Sequence, residues 1–419
     1  MADLDLRALA RAAAARPGDR AAGWAYASAL ARAGDRRGQA RELCRLTRLG
    51  DADAQQALDA WSPWPGPDGL VLRRSLARAP RTLVERARVP LSAGRRAVVV
   101  APQVVLTLGA HLEARALDDL ALRWSGDPVW FGQAALVGDQ FVAAAPDGLL
   151  TARDVLTGEV IVRCTLPDEV SRLIPALGAR AVCAFGPTFG LIDLFPEAFG
   201  ERAWELPLPH GASVSVGGRW VWLESGRHRQ LIALDTGATV WARELWDVHL
   251  ERSVALGLDD ERLVAFSTDA PVMRHGTSSR LVQLSCSTLA VEWTREFDGG
   301  LAVTREGVAL DEAWVMVATW EGDRLFAVLR ATGEVRWTRA LKDPSPALVL
   351  TPSILWVAER VWSEGAARIH VSGLEVATGQ VRLEHVLLPV PRARRLRLAP
   401  CEGGVVLVTD DALIVLGEG

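Results

Sequence analysis

A short motif recurs along most of this chain and constrains its fold more than any other feature. The stretch LIALDTGATVW runs from an apolar segment into Asp-Thr-Gly, and Trp241 follows four residues after Gly237. Related stretches have their glycine, or a leucine in its place, at Leu120, Gly158, Gly200, Gly237, Leu289, Gly333 and Gly379, which are 37 to 52 residues apart. Such a period, with several short alternating strands in each unit, predicts a β-propeller.

Each part of the motif has a physical role in a propeller blade. Thr-Gly suits the tight turn between the two outer strands, because glycine tolerates a positive φ. A Trp four residues later is expected to bury a flat ring against the next blade, so we interpret it as packing and not as cofactor contact. The residues assigned to this structural docking motif are Trp124, Trp204, Gly237, Trp241, Trp293, Gly333, Trp337 and Gly379.

The number of blades follows from the two ends of the repeat region. After the seventh motif, strands are expected around 394–399, 404–409 and 412–416, without an outer fourth strand. Residues 81–91 precede the first complete blade by about one repeat, and their pairing with those strands would close the ring. This arrangement favours eight blades. Seven blades remain the alternative if residues 97–109 form no strand pair of their own.

The repeats resemble those of the quinoprotein-like propeller family, which have PQQ-type docking motifs of the form Ala-x-Asp-x-x-Thr-Gly-x-x-x-Trp. The resemblance covers residues 81–419 and is strongest around Gly237 and Gly333, while Leu120 and Leu289 depart from it. It implies a mainly β propeller. In the enzymes of this family it would also imply a quinone, a bound Ca²⁺ with an Asp base, and often adjacent cysteines. No two cysteines are adjacent in this chain.

The first part of the chain has a helical pattern. Helices are predicted over 4–15, 19–33, 36–49 and 51–60, followed by a Pro/Gly-rich stretch. This predicts a helical domain over 1–63 and a linker over 64–80. The segment resembles the bacterial repeat-companion domain, and a single tetratricopeptide-like helix pair is the alternative. The residues in the places of the companion pattern are Tyr26, Ala27, Leu30, Gly34, Asp35, Arg37, Gly38 and Leu46.

Composition and charge point away from several classes of partner. The formal net charge is −4 and no basic block stands out, which gives no indication of nucleic acid or an anionic membrane as a partner. The start of the sequence lacks the pattern of a secretory signal, and no apolar run reaches the length of a membrane span. The five cysteines are scattered. We therefore expect a cytoplasmic protein with free buried thiols.

No pattern of catalytic or metal-binding residues was found. The seven histidines have no metal-ligand spacing, the acidic clusters 259–261 and 410–411 fall where turns are expected, and no nucleophile elbow, Walker loop or Rossmann fingerprint occurs. The sequence therefore predicts a protein that is not an enzyme and has neither a cofactor nor a metal site.

Two lengthened repeats suggest a contact surface. The stretches 267–280 and 361–370 both extend a repeat between its second and third strands, so both should lie on the face opposite the Thr-Gly turns. Long loops on a rigid scaffold often serve recognition, and Met, Arg and Trp are enriched at contact sites. The candidate contact residues are Met273, Arg274, His275 and Trp362.

These observations favour a cytoplasmic scaffold or adaptor that binds other proteins. By resemblance at the level of fold, it could belong to a bacterial system that combines a MoxR-type ATPase, a von Willebrand A protein and a propeller. The alternative is a sensor of a small molecule or metal, or a degenerate quinoprotein-like enzyme, that uses the central channel. A third hypothesis is an assembly factor similar to the periplasmic outer-membrane propeller lipoproteins. The missing signal and lipobox cysteine argue against it.

Overall fold

The structure of the protein is a computed structural model of the 419-residue chain. It describes residues 8–9, 12–13, 19–32, 39, 42–43, 46, 53–54, 82–91, 97–101, 103–109, 112–129, 133–137, 140–145, 147–176, 180–194, 198–225, 228–244, 254–258, 262–268, 279–288, 290–297, 307–311, 313–319, 324–343, 346–351, 353–363, 366–387, 396–401 and 403–418.

Thirty-two strands form eight four-stranded antiparallel sheets, which are the blades of a propeller. Blades 1 to 4 consist of β2 (Ala97–Val100), β3 (Val104–Leu108), β4 (Leu112–Ala116) and β5 (Leu122–Gly126); β6 (Ala134–Val137), β7 (Gln140–Ala144), β8 (Leu149–Asp154) and β9 (Val160–Thr165); β10 (Arg172–Ala176), β11 (Arg180–Phe185), β12 (Thr188–Asp193) and β13 (Arg202–Pro207); and β14 (Ser213–Gly217), β15 (Trp220–Ser225), β16 (His228–Ala233) and β17 (Thr239–Glu244).

Blades 5 to 8 complete the ring. They consist of β18 (Val254–Leu258), β19 (Arg262–Thr268), β20 (Ser279–Ser285) and β21 (Val291–Phe297); β22 (Val308–Leu310), β23 (Trp314–Thr319), β24 (Arg324–Leu329) and β25 (Val335–Ala340); β26 (Ala347–Leu350), β27 (Ile354–Ser363), β28 (Ala366–Glu375) and β29 (Val381–Leu387); and β30 (Arg397–Cys401), β31 (Gly404–Val408), β32 (Ala412–Glu418) and β1 (Leu83–Pro90).

Blade 8 combines strands from opposite ends of the described propeller. Strand β1 pairs antiparallel with β32, from Leu83 opposite Glu418 to Pro90 opposite Ala412, and supplies the outer strand of that blade. The prediction of a mainly β, eight-bladed propeller is confirmed. The seven-bladed alternative is wrong, because β2 and β3 form a strand pair within residues 97–109.

The core consists of apolar layers between neighbouring blades. Second strands such as β3 and β11 are buried along their whole length, because a neighbouring blade covers each of their two faces. Outer strands such as β13 and β25 alternate between half-buried and exposed residues. Each outer strand also has a register shift of one residue against its partner. Such a bulge increases the local twist of a sheet.

The antiparallel order gives the ring two distinct faces. The turns between third and outer strands, such as 234–237 and 376–379, lie on one face, which we call the turn face. The hairpins between second and third strands lie at the opposite ends of these strands, and we call that side the loop face. The two stretches predicted to form a contact surface extend hairpins of this second kind, in blades 5 and 7.

The N-terminal region is described only in part. Helix α1 (Arg20–Arg32) coincides with the second predicted helix, and the Asp19 side chain accepts a hydrogen bond from the Ala22 N–H at 3.1 Å, as an N-cap does. Most residues of the other three predicted helices, and the whole linker over 64–80, lie outside the described residues. The boundaries 1–63 and 64–80 therefore stay predictions.

Candidate functional site: docking turns and loop face

Four of the predicted docking turns share one backbone geometry. Gly158, Gly237, Gly333 and Gly379 have φ values between 68° and 74°, and each N–H donates to the carbonyl oxygen four residues earlier at 2.8–2.9 Å. A Cβ atom on any of them would lie 2.6–2.8 Å from an indole carbon of the preceding blade. Both the backbone conformation and the lack of space therefore require glycine at these turns.

The Trp that covers each turn also forms a hydrogen bond to it. Its indole N–H donates to the carbonyl oxygen of the residue three positions before the turn glycine. The four bonds are Trp124 to Val155 at 3.0 Å, Trp204 to Leu234 at 2.7 Å, Trp293 to Arg330 at 2.7 Å and Trp337 to Val376 at 2.8 Å. The docking motif is thus a directed contact from each of these blades to the next.

The fifth Trp of the motif has a different neighbour. Trp241 stacks on Trp222 of its own blade, with ring centroids 6.0 Å apart and planes 14° from parallel. It also packs against the cluster that contains Leu263 and Cys286 of blade 5. The facing Leu289, which replaces the turn glycine in the sequence, lies outside the described residues.

At the seam between blades 2 and 3, the large aromatic side chain comes from the turn of blade 3 and not from the outer strand of blade 2. Val162 stands in the Trp place of blade 2, and Phe199, from the longer turn of blade 3, lies in the same cluster as Val162 and Cys164. A Cβ atom on Gly200 would collide with the Cys164 sulfur. Burial raises the pKa of the Cys164 thiol and that of the fully buried Cys183 thiol. Both are therefore expected to be thiols of low reactivity.

Among the described residues, the longest strands are β27 and β28, which form a hairpin on the loop face. Its strands pair from Ile354 opposite Glu375 out to Ser363 opposite Ala366. In the described part of the chain, inner strand β26 pairs only as far as Ala358, and outer strand β29 only as far as Ile369. The end of the hairpin therefore projects as a two-stranded ribbon, which we call the blade 7 ribbon (Glu359–Ser363 and Ala366–Arg368).

A partly buried ion pair stabilises the base of the blade 7 ribbon. The Asp343 carboxylate accepts hydrogen bonds from the Arg360 backbone N–H at 2.8 Å and from its Nε and Nη2 at 2.7 and 3.0 Å. The side chain of Asp343 is 3% exposed and that of Arg360 is 21% exposed. This hydrogen bonding raises the pKa of Arg360. Beside the pair, the Glu359 carboxylate accepts a hydrogen bond from the Lys342 backbone N–H.

A second buried ion pair lies at the same face of blade 4. Glu224 and Arg229 are 3.3 Å apart with side chains 11% and 4% exposed. The Glu224 carboxylate also accepts bonds from the Trp222 indole N–H at 2.9 Å and the Ser213 hydroxyl at 3.2 Å. Charge-assisted hydrogen bonds of this kind fix side chains in one arrangement. The loop face therefore has rigid supports at two blades.

The structure describes the predicted contact surface only in part. Trp362 belongs to β27, where it pairs with Ala367, but its side chain is outside the described set, as are Met273, Arg274 and His275. Sequence reasoning missed Asp343, Glu359 and Arg360. The available signal was Glu-Arg inside the apolar run ILWVAERVW, because two adjacent charges in such a strand call for buried partners.

The described residues contain neither a metal-binding group of side chains nor a membrane-spanning helix. No three His, Cys, Asp or Glu side chains among them form a group that could hold a metal ion. No helix among them is long and apolar enough to cross a membrane.

Comparisons with known proteins agree with this architecture. A family model described as "Outer membrane protein assembly factor BamB" matches residues 242–419. No curated protein matches the chain. The matched range includes none of residues 1–63, so the resemblance of that segment to the repeat-companion domain stays a prediction.

Several solved structures are similar in fold at low sequence identity. BamB from Moraxella catarrhalis is 15% identical with a TM-score of 0.52, over 80% of this chain and 98% of that one. The computationally designed Ika8 protein is 14% identical with a TM-score of 0.57, over 80% and 99%. Sqt1 from Saccharomyces cerevisiae is 11% identical with a TM-score of 0.56, over 82% and 100%. At these identities the similarity concerns the fold alone.

Proposed function

We propose that this chain, a PQQ-type repeat β-propeller similar in fold to BamB, is a non-enzymatic scaffold that binds other proteins through its loop face. The observation that supports the proposal most is the blade 7 ribbon. It projects beyond both neighbouring strands of its blade, and the Asp343–Arg360 pair holds its base. A braced projection on a rigid ring can contact a partner without losing much conformational entropy.

The charges that brace the ribbon also protect its strand edge. A free backbone N–H on an edge strand can pair with any passing strand. The Arg360 N–H on that edge is already bonded to Asp343. The ribbon is therefore proposed to bind through its side chains and its tip. The blade 5 hairpin, where β19 and β20 pair as far as Thr268 and Ser279, is proposed to lie beside the same contact surface.

The finer parts of the hypothesis are proposals of the same kind. The helical segment 1–63 would provide a second docking surface, the protein would work in the cytoplasm, and it would need no cofactor. A partner that is a MoxR-type ATPase or a von Willebrand A protein would place it in the bacterial system suggested by the sequence.

Affinity capture from the native host tests the proposal. Four tagged forms are compared: the full chain, a form without residues 1–63, a ribbon-trimmed form and a turn-face control. The ribbon-trimmed form lacks Val361, Trp362, Ala367 and Arg368, which are two facing pairs. Their removal keeps the inward and outward alternation of both strands. The control has Glu159→Arg and Glu334→Arg, since both residues are exposed on the turn face.

The expected result is a stoichiometric partner that remains with the control and is lost from the ribbon-trimmed form. Loss on removal of 1–63 would add the helical segment to the binding surface. A partner that stays with the trimmed form and leaves the turn-face control would contradict the proposal. A full chain that captures nothing would favour the alternative of a small-molecule sensor.

A further inference from the structure

At the seam between blades 8 and 1, a small residue stands in the Trp place and a large residue stands in the place of the turn glycine. In ordinary outer strands a one-residue register shift immediately precedes the Trp, as between the pairs of Thr239 and Trp241 with β16. In β1 the same shift lies between Glu85 and Ala87. Ala87 therefore stands in the Trp place of blade 8, and the largest side chain of the motif is replaced by one of the smallest.

The facing turn of blade 1 has changed in the opposite direction. Leu120 has a φ of 57°, and no other described residue except glycine has a positive φ. Its N–H donates to the Ala116 carbonyl oxygen at 3.0 Å, as the turn glycines do. A branched side chain in this conformation is strained. This turn therefore has the backbone conformation of the glycine turns, although its residue is a leucine.

The two replacements fill one space. Leu120 is 1% exposed and lies in the cluster of Leu117, Val406 and Val415, against which Ala87 packs. At an ordinary seam the same space holds an indole ring above a glycine, where even a Cβ atom would be within 2.8 Å of the ring. The volume at the closing seam therefore comes from the turn instead of from the outer strand.

The other flank of blade 8 also departs from the Trp–Gly pair. Leu383 stands in the Trp place of blade 7. Leu83, four residues before Ala87, takes the place of the turn glycine, and both leucines are buried in one cluster. His385 Nδ1 lies 3.1 Å from the Leu83 carbonyl oxygen. Strand β1 thus has a different size pattern from an ordinary outer strand at both of its docking positions.

We infer that these differences in side-chain size specify β1 as the strand that completes blade 8 and closes the ring. An outer strand with a Trp would collide with Leu120 at this seam, and β1 would leave a cavity at a seam whose turn has glycine. The exchange therefore fits β1 to blade 8 and keeps the outer strands that carry a Trp out of it. This is specificity by steric exclusion, obtained from the sizes of Ala87 and Leu120.

A double-mutant cycle tests the inference. Ala87→Trp alone should lower Tm by about 3 °C or more through overpacking. Leu120→Gly alone should lower it by about 1–3 °C, because lost packing outweighs the relieved strain. The double variant recreates an ordinary Trp–Gly pair and should return to within about 1 °C of the parent protein. Circular dichroism is the readout, since the chain already has 16 tryptophans.

The reciprocal cycle at an ordinary seam is the matched control. Trp337→Ala and Gly379→Leu should each destabilise the ring, and the double variant should be more stable than the sum of the two losses. Additive losses in both cycles would overturn the inference. Size-exclusion chromatography adds a second readout: Ala87→Trp, which weakens closure, should form dimers by strand exchange, and the double variant should be monomeric.

A third pair of variants keeps the test decisive if Ala87→Trp does not fold. Leu120→Ala keeps the positive φ strained and removes the packing, whereas Leu120→Gly removes both. Leu120→Gly should therefore have the higher Tm. Equal values, or a higher value for Leu120→Ala, would show that Leu120 does not keep a turn-glycine backbone, and the inference would fail.

Discussion

The turn face and the loop face belong to the same eight blades, but they are held together by different interactions. On the turn face, four seams repeat one Trp–Gly contact with nearly constant distances. On the loop face, the Asp343–Arg360 and Glu224–Arg229 pairs differ from each other and from any repeated pattern. The comparison indicates that the repeat determines how these four pairs of blades join, while the contacts on the opposite face differ from blade to blade. Four predictions test it.

The largest difference is expected between two glycines with the same backbone conformation. Gly333 on the turn face and Gly186 on the loop face have φ values of 68° and 63°. A Cβ atom would lie 2.6 Å from the Trp293 ring at Gly333, but no atom is within 4 Å at Gly186. Gly333→Ala should lower the free energy of unfolding by about 3–5 kcal/mol and Gly186→Ala by about 1 kcal/mol. Urea unfolding measures both.

That experiment separates backbone strain from packing. Similar losses for the two variants would mean that positive φ alone explains the turn glycines. The Trp would then be a neighbour without steric consequence, and the contrast between the faces would disappear.

The next effect concerns the ring that covers the turn. Trp337→Ala should lower the free energy of unfolding by about 3 kcal/mol, because it removes a half-buried aromatic side chain. Trp337→Phe keeps an aromatic face but loses the N–H bond to the Val376 carbonyl at 2.8 Å, so about 1 kcal/mol should be lost. If the two variants lost equal amounts, the hydrogen bond and not the packing would be the main contribution.

The loop face should respond through charge instead of volume. Asp343→Ala leaves the Arg360 guanidinium at the base of the ribbon without its carboxylate, so a loss of about 2–3 kcal/mol is expected. The exposed turn-face pair Arg336–Glu334, with side chains 52% and 54% exposed, is the control. Arg336→Ala should change stability by less than about 1 kcal/mol. Thermal unfolding of both variants compares the pairs directly, and equal losses would refute a special role for Asp343.

The repeat made the eight-bladed ring predictable from the sequence, but it did not make the ion pairs of the loop face predictable. The spacing of the motifs predicted a propeller, because glycine turns have few alternatives, and the strands expected at the two ends of the repeat region led to eight blades. The Asp343–Arg360 pair joins an interblade connection to a strand 17 residues later, so it depends on how that connection folds over the blade. Leu120 was identified as a departure from the motif. Its retention of the glycine backbone could not be derived, since propensity argues against leucine there.

The smallest expected effect is electrostatic and lies in the blade 7 turn. The Thr378 hydroxyl donates to the Glu375 carboxylate at 2.7 Å, and Arg382 Nη2 donates to its other oxygen at 2.7 Å. These bonds, with the Thr378 bond contributing most, lower the pKa of Glu375. A lowered pKa in the folded state contributes stability above the unfolded-state pKa, and this contribution is lost as the pH falls through the folded-state pKa.

Thr378→Val should therefore raise the Glu375 pKa, and Arg382→Ala should raise it less. Carbon-detected NMR titration of the carboxyl measures both shifts. A larger shift in Arg382→Ala would mean that charge, and not the threonine of the repeated turn, governs this carboxylate, so that even the turn face depends on side chains outside the motif.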